Sequence, residues 1–217
     1  MKILITGTSQ GIGYAIAQHF LKEGHTVIGI DRQRSSISHP GYTHQTCDVR
    51  DTEHLPDIDG VQVLINNAGT QNEDDISTNL KALIAVSEKY GAREGIKSVL
   101  HIGSASGHTG AEFPEYAASK GGVIAYTKNL AMRIAPFGAT CNSLDPGGVL
   151  TELNECVIND PALWDAIMKE TPLKRWATPE EIAEWAYFLT AVQSFCTGQS
   201  ILVDGGEAIN YHFIWKD

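Results

Sequence analysis

Short apolar runs alternate with amphipathic stretches along the whole chain. Residues 2–6 and 25–31 are apolar runs of strand length, and residues 11–23 place their apolar side chains on one helical face before Gly24 ends the helix. Residues 32–41 are polar and predict a loop. This order of strand, helix and strand is typical of a parallel sheet that helices cover on both faces.

The alternation continues and predicts the remaining elements. Further strands are predicted at residues 43–47, 61–65, 98–102, 140–144 and 200–203. Helices are predicted at residues 77–90, at residues 114–134 and, with an interruption at Asp160-Pro161, at residues 150–170. Thr178 and Glu181 have the spacing of a capping box, which predicts another helix start. No linker divides the chain, so we expect a single domain over residues 1–217.

Length and composition narrow the class of protein. The 217 residues suit one α/β domain or two very small ones, and 42% hydrophobic residues are enough for a buried core. The 26 acidic residues outnumber the 16 Lys and Arg and give a formal charge of −10, which argues against nucleic acid as the main partner. No apolar run approaches the roughly 20 residues that span a bilayer, so we expect no membrane partner.

The cysteines and the N-terminus favour a cytoplasmic protein. The 4 cysteines form no C-x-x-C pair and the 8 histidines show no metal-ligand spacing, so we expect free thiols and no metal site. The opening residues reach Gly7 too soon to form a secretory signal.

A glycine-rich turn joins the first predicted strand to the first predicted helix. It has the sequence T-G-T-S-Q-G-I-G from Thr6 to Gly13. Gly7 would allow the tight turn, Gly11 would let a pyrophosphate approach the backbone, and Gly13 would let helix and strand pack closely. The helix N-terminus would then face an anion. An ordinary glycine-rich turn is the alternative, and the absence of a following G-K-[ST] disfavours a nucleoside-triphosphatase P-loop.

Asp31 ends the second predicted strand, where a dinucleotide-binding fold places the acid that holds the adenosine ribose hydroxyls. The alternative is an ordinary aspartate in a turn at a strand end. A 2′-phosphate about 4 Å from this carboxylate would be opposed by roughly 4 kcal/mol at an effective dielectric constant of 20. The adjacent Arg32 could partly screen that repulsion. We therefore predict NAD(H) as the cofactor, with NADP(H) as the alternative.

Several further motifs follow in order, and with them the chain resembles the classical short-chain dehydrogenase/reductase family over essentially its whole length. Besides the glycine turn, these motifs are Asp48-Val49, Asn66-Asn67-Ala68-Gly69, Asn79, Ser104, Tyr116 to Lys120, Pro146 to Thr151, Thr197-Gly198-Gln199 and Val203-Asp204-Gly205-Gly206. The resemblance implies an α/β fold, a Rossmann-type doubly wound sheet of about seven parallel strands flanked by helices. It also implies one cofactor per chain and reversible hydride transfer between nicotinamide and a carbonyl or alcohol group.

The resemblance further implies a role for individual residues. The family's catalytic tetrad corresponds to Asn79, Ser104, Tyr116 and Lys120. The implied cofactor contacts are Gly7, Ser9, Gln10, Gly11, Ile12, Gly13, Asp31, Arg32, Asp48, Val49, Asn67, Ala68, Gly69, Tyr116, Lys120, Pro146, Gly147, Val149 and Thr151. Within the tetrad, Ser104 would donate a hydrogen bond to the substrate oxygen, and Asn79 would hold a water that links Lys120 to solvent.

The spacing of Tyr116 and Lys120 supports acid–base chemistry. They are four residues apart and would share one face of a helix. A free tyrosine has a pKa near 10, and lowering that pKa to about 7 needs roughly 4 kcal/mol. One ammonium about 4 Å away supplies an energy of that order at a dielectric constant of 20. A surface Tyr and Lys one turn apart is the alternative.

Two segments depart from the family pattern. The stretches from Asp48 to Asn66 and from Asn67 to Asn79 are both short, so the helix that normally precedes Asn79 must be truncated or missing. We therefore expect an altered rim of the adenine and substrate clefts. Gly103 replaces a common serine, which leaves Ser104 as the better candidate and Ser106 as its alternative.

The resemblance places a substrate loop at residues 150–176. This segment is apolar and aromatic, which favours a substrate with a hydrophobic, cyclic or steroid-like part, although a helix core would give the same pattern. Its acidic residues disfavour an anionic substrate. The pocket candidates are Ser106, His108, Phe113, Leu150, Trp164 and Met168.

Three functions stay open from the sequence. The first is an NAD(H)-dependent oxidoreductase acting on a secondary alcohol or ketone, and the second is a 3-oxoacyl carrier-protein reductase. The third is a non-catalytic dinucleotide-binding sensor, against which the presence of all four tetrad residues argues. The family resemblance also implies a homo-oligomer, a tetramer or dimer, and we expect the aromatic tail at residues 209–217 to pack on a neighbouring subunit.

Overall fold

The computed structural model of the protein describes residues 1–111 and 113–210. Its centre is a parallel sheet of seven strands in the order β3-β2-β1-β4-β5-β6-β7. The strands are β1 Lys2–Thr6, β2 Thr26–Asp31, β3 Tyr42–Thr46, β4 Val63–Asn66, β5 Ser98–Ile102, β6 Thr140–Pro146 and β7 Ser200–Val203. The predicted Rossmann-type doubly wound sheet is therefore confirmed.

Helices connect β1 to β2, β4 to β5, β5 to β6 and β6 to β7, and they cover the sheet. They are α1 Gly11–Lys22, α2 Leu83–Tyr90, α3 Ser106–Thr109, α4 Pro114–Ile134, α5 Glu155–Ile158, α6 Pro161–Glu170 and α7 Pro179–Tyr187. Two wider π-helical segments, Ile76–Ala82 and Phe188–Val192, precede α2 and follow α7. Three 3₁₀ turns lie at Ala135–Phe137, Glu152–Asn154 and Glu207–Ile209.

The sheet carries a hydrophobic core on each face. Ile5 of β1 packs in one core with residues of α1 and α7, including Phe20 and Ile182. The neighbouring Leu4 points to the other face and packs in a core that contains Leu130 of α4. Since a parallel strand is buried on both faces, its sequence is a continuous apolar run, which is why β1 could be predicted.

Most predicted elements are confirmed, with shifted ends. The strand at Ser98–Ile102, the helix at Pro114–Ile134 and the capping box of Thr178 and Glu181 lie as predicted. The predicted strand at residues 140–144 extends to Pro146, because Asp145 and Pro146 pair with Leu202 and Val203 of β7. The predicted helix at residues 77–90 begins as a π-helical segment, which differs from an α-helix by one residue per hydrogen-bonded turn.

The connection between β3 and β4 contains no helix, although it lies entirely within the described residues 47–62. Leu55 and Ile58 bury their side chains in the core beneath it, at 4% and 8% exposure. Three side chains at or beyond the end of α2 donate to carbonyl oxygens of this loop: Lys89 to Leu55, Tyr90 to Pro56 and Arg93 to Ile58. Side chains in and just after α2 thus bond loop carbonyls that would have been bonded internally if the loop had formed a helix.

Three expectations from the sequence concern a membrane helix, a metal site and the packing of the C-terminal tail. Within residues 1–111 and 113–210, no helix is long and apolar enough to cross a membrane. The same ranges contain no group of three or more His, Cys, Asp or Glu side chains that could hold a metal ion. All but the first two residues of the aromatic tail at 209–217 lie outside the described residues, so its packing and the oligomeric state stay predictions.

The close packing of α1 on the glycine turn requires Gly13. A Cβ at this position would overlap the carbonyl oxygen of Gly7, whereas the nearest atom to a Cβ on Gly121 in α4 is 3.7 Å away. We expect Gly13→Ala to lower the free energy of unfolding by about 1–3 kcal/mol, since overpacking costs that much. The matched change Gly121→Ala should leave stability unchanged or raise it by up to about 1 kcal/mol, because alanine favours helix.

Urea denaturation of both variants and the parent chain measures these differences. Equal stability of Gly13→Ala and the parent chain would contradict the packing described here.

Candidate active site

A cleft with a volume of about 710 Å³ lies at the carboxyl ends of the central strands. It opens between β1 and β4, where the strand order reverses and open parallel sheets bind their ligands. Its lining runs from Asp31 and Asp48 at one end, past the glycine turn, to Ser104, Tyr116, residues 146–149, residues 151–154 and Val157 at the other. This volume is ordinary for a cofactor or small-molecule site.

The glycine turn is shaped for an anion. Gly7 and Gly11 have φ of 75° and 56°, a backbone conformation that favours glycine. A Cβ on Gly7 would press against the backbone of Ala68, and no side chain caps the N-terminus of α1. The cradle therefore exists only because these side chains are absent, and it fits the pyrophosphate of a dinucleotide.

The turn is fastened to the loop after β4. The Thr6 hydroxyl accepts hydrogen bonds from the backbone N–H groups of Asn67 and Ala68, at 3.0 and 3.1 Å. The Asn67 side chain donates in return to the carbonyls of Thr6 and Gly7, at 3.1 and 2.9 Å. These four bonds fix the two walls of the cleft relative to each other.

Asp31 lies at the rim of the cleft beside the glycine turn. Its carboxylate accepts hydrogen bonds from the backbone N–H groups of Ser9 and Gln33, both at 2.9 Å. Arg32 lines the cleft next to it. Ser9 does not line the cleft and instead ties the glycine turn to Asp31.

The Asp31 end of the cleft also contains an ion pair that the sequence did not indicate. The Arg50 guanidinium lies 2.7 Å from the Asp48 carboxylate and 3.7 Å from Asp74. Its hydrogen bonds lower the pKa of the Asp48 carboxyl, against a smaller opposing effect of burial. Arg50 lines the cleft beside Val49.

Three of the four predicted catalytic residues line the same cleft. Ser104 follows β5, and Tyr116 and Lys120 lie one turn apart on α4. The Lys120 ammonium is 5.6 Å from the centroid of the Tyr116 ring and donates to the carbonyl of Ile102 at 3.0 Å. Ser104 Oγ accepts from the backbone N–H of Ser106 at 3.1 Å, so its own hydroxyl proton can point elsewhere.

Asn79 lies behind the cleft wall and does not line it. Its side chain is buried, with Oδ1 accepting from the Thr70 N–H at 2.8 Å and Nδ2 donating to the Thr70 carbonyl at 2.9 Å. Nδ2 also donates to the Ser119 hydroxyl on α4 at 3.2 Å. Asn79 belongs to the π-helical segment before α2, a type of distortion frequent at functional sites.

The predicted cofactor contacts gather around this cleft. Besides Tyr116 and Lys120, the predicted contacts that line it are Gly7, Gln10, Gly11, Ile12, Asp31, Arg32, Asp48, Val49, Asn67, Ala68, Gly69, Pro146, Gly147, Val149 and Thr151. Gly13 packs beneath the turn and does not line it.

The predicted substrate pocket differs more. Ser106 lines the cleft, whereas His108, Phe113, Leu150, Trp164 and Met168 do not. In their place the lining includes Thr109, Ala111, Leu153, Asn154, Val157, Ile167 and Trp176. The helical face of α6 that meets the cleft carries Ile167, and Trp164 packs edge-on against Trp176 at 5.1 Å between ring centroids. Helical spacing alone could not have told which neighbour faces inward.

The fold and the cleft together define a dinucleotide-binding α/β protein. A family profile described as "Enoyl-(Acyl carrier protein) reductase" matches residues 7–207. The chain is 33% identical to 3-oxoacyl-[acyl-carrier-protein] reductase FabG of Chlamydia pneumoniae, over 94% of this chain and 96% of that protein. It is 32% identical to glucose 1-dehydrogenase of Gluconobacter oxydans (strain 621H), over 94% and 91% of the two chains.

A solved structure agrees with these sequence relationships. The crystal structure of an oxidoreductase (short chain dehydrogenase/reductase family) from Burkholderia thailandensis has a TM-score of 0.88 and 30% identity, covering 96% of this chain and 92% of that one. The chain belongs to the short-chain dehydrogenase/reductase family of NAD(P)-dependent oxidoreductases that act on CH–OH groups.

The hydroxyl of Thr6 supports one wall of the cleft, so its loss should weaken cofactor binding. We expect Thr6→Val, which keeps the shape but removes the acceptor of two N–H groups, to lower stability by about 1–3 kcal/mol. We also expect the dissociation constant for NADH, measured by fluorescence titration, to rise several-fold. The control Thr43→Val changes an exposed residue of β3 and should alter neither quantity. Unchanged NADH affinity in Thr6→Val would contradict this role.

Proposed function

We propose that the protein transfers a hydride between NAD(H) and a secondary alcohol or ketone, with Tyr116 as the general acid–base. The observation that carries the proposal is that Ser104, Tyr116 and Lys120 line the same cleft as the glycine turn. A dinucleotide whose pyrophosphate lies on that turn could extend its nicotinamide toward Val149 and Thr151, beside the three catalytic side chains.

The chain's own residues perform the proton chemistry. When bound, the nicotinamide supplies the hydride acceptor or donor. The Tyr116 hydroxyl takes a proton from the substrate alcohol or returns one to the ketone oxygen. The buried ammonium of Lys120 favours loss of the phenol proton, since an opposite charge stabilises the phenolate. Ser104 donates a hydrogen bond to the substrate oxygen where negative charge develops.

Asn79 acts from behind the cleft wall and does not contact the substrate. Its amide holds both backbone groups of Thr70 and the Ser119 hydroxyl, which joins the loop after β4 to the helix that carries Tyr116. In this proposal the same amide orients a water through which Lys120 exchanges protons with solvent.

The position of Asp31 supports NAD(H). Its carboxylate lies at the cleft rim and is held by Ser9 and Gln33, so it cannot easily turn away from a ribose. A 2′-phosphate there would meet a repulsion of roughly 4 kcal/mol at about 4 Å. Arg32 and Arg50 also line this end of the cleft, which is why NADP(H) is the alternative.

The lining supports a substrate with a hydrophobic part. Leu153, Val157, Ile167 and Trp176 form an apolar side of the cleft, while Ser106 and Thr109 offer hydroxyls nearer Ser104. A cyclic alcohol or ketone would place its ring on the apolar side and its oxygen toward Ser104 and Tyr116.

A second candidate is reduction of 3-oxoacyl groups on a carrier protein, which is supported by the 33% identity to the Chlamydia pneumoniae reductase. Assays of cyclic ketones with NADH against 3-oxoacyl thioesters with NADPH distinguish the two. Dinucleotide binding without turnover of any substrate would favour the third reading, a non-catalytic sensor.

Removal of the Tyr116 hydroxyl tests the acid–base role. We expect Tyr116→Phe to lower kcat by about 100-fold or more, with little change in the dissociation constant for NADH. Tyr14→Phe is the matched control, because the Tyr14 hydroxyl bonds Gln18 on α1 and lies outside the cleft lining. Retained turnover in Tyr116→Phe would overturn the proposed mechanism.

The charge of Asp31 tests the cofactor preference. We expect Asp31→Ser to raise the ratio of kcat/KM with NADPH to that with NADH by about 10-fold or more, because the repulsion of a 2′-phosphate is removed. The control Asp165→Ser removes a carboxylate from an exposed position of α6 and should not change the ratio. A ratio unmoved by Asp31→Ser would show that this carboxylate does not face the ribose.

A further inference from the structure

A carboxylate that the proposed mechanism does not use is buried directly behind the cleft. Asp145 lies at the end of β6, immediately before Pro146 of the cleft lining, and it is 0% exposed. A Cβ on Gly103, the residue before Ser104, would overlap the Asp145 carboxylate. The glycine in this position therefore makes the room that the carboxylate occupies.

Asp145 is paired with a histidine beside Ser104. Its Oδ2 lies 2.6 Å from Nε2 of His108 on α3, and its Oδ1 accepts a hydrogen bond from the Ser143 hydroxyl. The His108 side chain is 31% exposed, so it can exchange protons with solvent while the carboxylate cannot. The backbone N–H of Ala105 also donates to the Pro146 carbonyl at 2.8 Å. The pair thus joins the Ser104 segment to the segment at the nicotinamide end of the cleft.

The carboxylate also lies near the lysine of the proposed mechanism, whose ammonium donates to the carbonyl of Ile102, the residue before the Gly103 that faces Asp145. Burial raises the pKa of Asp145, whereas its hydrogen bonds from Ser143 and His108 and the positive charge of Lys120 oppose that rise. Among the described residues, the titratable groups that face Asp145 are His108 from α3 and Lys120 from α4. Lys120 in turn lies over the Tyr116 ring, so the charge at Asp145 is connected to the phenol through one side chain.

We propose that the charge carried by the His108–Asp145 pair sets how readily Tyr116 gives up its proton. The inference rests on the acid–base role proposed for Tyr116. With the carboxylate ionised, the pair has no net charge when the imidazole carries a proton on both nitrogens and one negative charge when it does not. A negative charge behind Lys120 offsets part of the ammonium's effect and keeps the proton on Tyr116, which favours ketone reduction.

Two conservative substitutions change this charge in opposite senses. Asp145→Asn removes the negative charge, and the amide can still bond Ser143 and His108. His108→Gln leaves the carboxylate without a cation, and its amide can still donate to it. Above the pKa of the Asp145 carboxyl the two variants therefore differ by a full charge at nearly constant shape, which distinguishes an electrostatic role from a purely structural one.

The experiment compares the ionisation attributed to Tyr116 in the two variants. We expect the midpoint pH of this ionisation, taken from the pH profile of kcat/KM for alcohol oxidation, to be about one pH unit higher in His108→Gln than in Asp145→Asn. The midpoint of the parent chain should lie between the two. The double variant should return to the value of Asp145→Asn, because it also lacks the negative charge. Phenolate absorbance of the cofactor-free protein, corrected by subtracting Tyr116→Phe, should show the same order.

A second Asp–His pair of the same chain provides the control. His54 lies 2.8 Å from Asp51 on the surface, outside the cleft lining. His54→Gln and Asp51→Asn should leave the ionisation unchanged. If Asp145→Asn does not fold, Asp145→Ser serves as the neutral variant.

The outcomes separate this inference from the proposed function. Equal ionisations in His108→Gln and Asp145→Asn, or the reverse order, would overturn the inference even if Tyr116→Phe abolishes turnover. Full turnover in Tyr116→Phe would instead overturn the proposed function, and this inference with it.

Discussion

The site depends above all on the hydrogen bonds that join the ends of β1 and β4. The Thr6 hydroxyl and the Asn67 amide hold together two loops that leave the sheet in opposite directions. A cleft between β1 and β4 needs two loops that move apart above the sheet while their starting points stay at a fixed distance. Because residues at the strand ends supply both the Thr6 hydroxyl and the Asn67 amide, the geometry of the sheet fixes the position of the glycine turn.

The same principle recurs deeper in the site, where two buried polar side chains each join two elements. Asn79 joins the loop after β4 to α4, and Asp145 joins β6 to α3. A buried polar group left without a partner costs about 1–3 kcal/mol, so each of these side chains strongly disfavours arrangements in which its two elements separate. The catalytic side chains of the proposed mechanism are therefore placed by a frame of polar contacts as much as by hydrophobic packing.

The order of strands and helices, the glycine turn and the grouping of Ser104, Tyr116 and Lys120 could be predicted because each depends on local periodicity or on a motif. Other features depend on contacts between distant residues. His108 was a pocket candidate, yet it turns to Asp145, a partner 37 residues away. The sequence likewise could not show that Ile167 and not Met168 faces the cleft, because a small rotation of a short helix decides between neighbours.

The loop between β3 and β4, which contains no helix, shows that residues elsewhere in the chain can determine a loop's conformation. Its carbonyls are bonded by Lys89, Tyr90 and Arg93, and burial of the Tyr90 ring raises the pKa of its hydroxyl to about 12, so it remains a donor. The shape of the loop is thus encoded largely in another part of the chain. A change at Tyr90, far from this loop in sequence, would therefore remove a hydrogen bond from the same connection that carries Asp48 and Arg50 into the cleft lining.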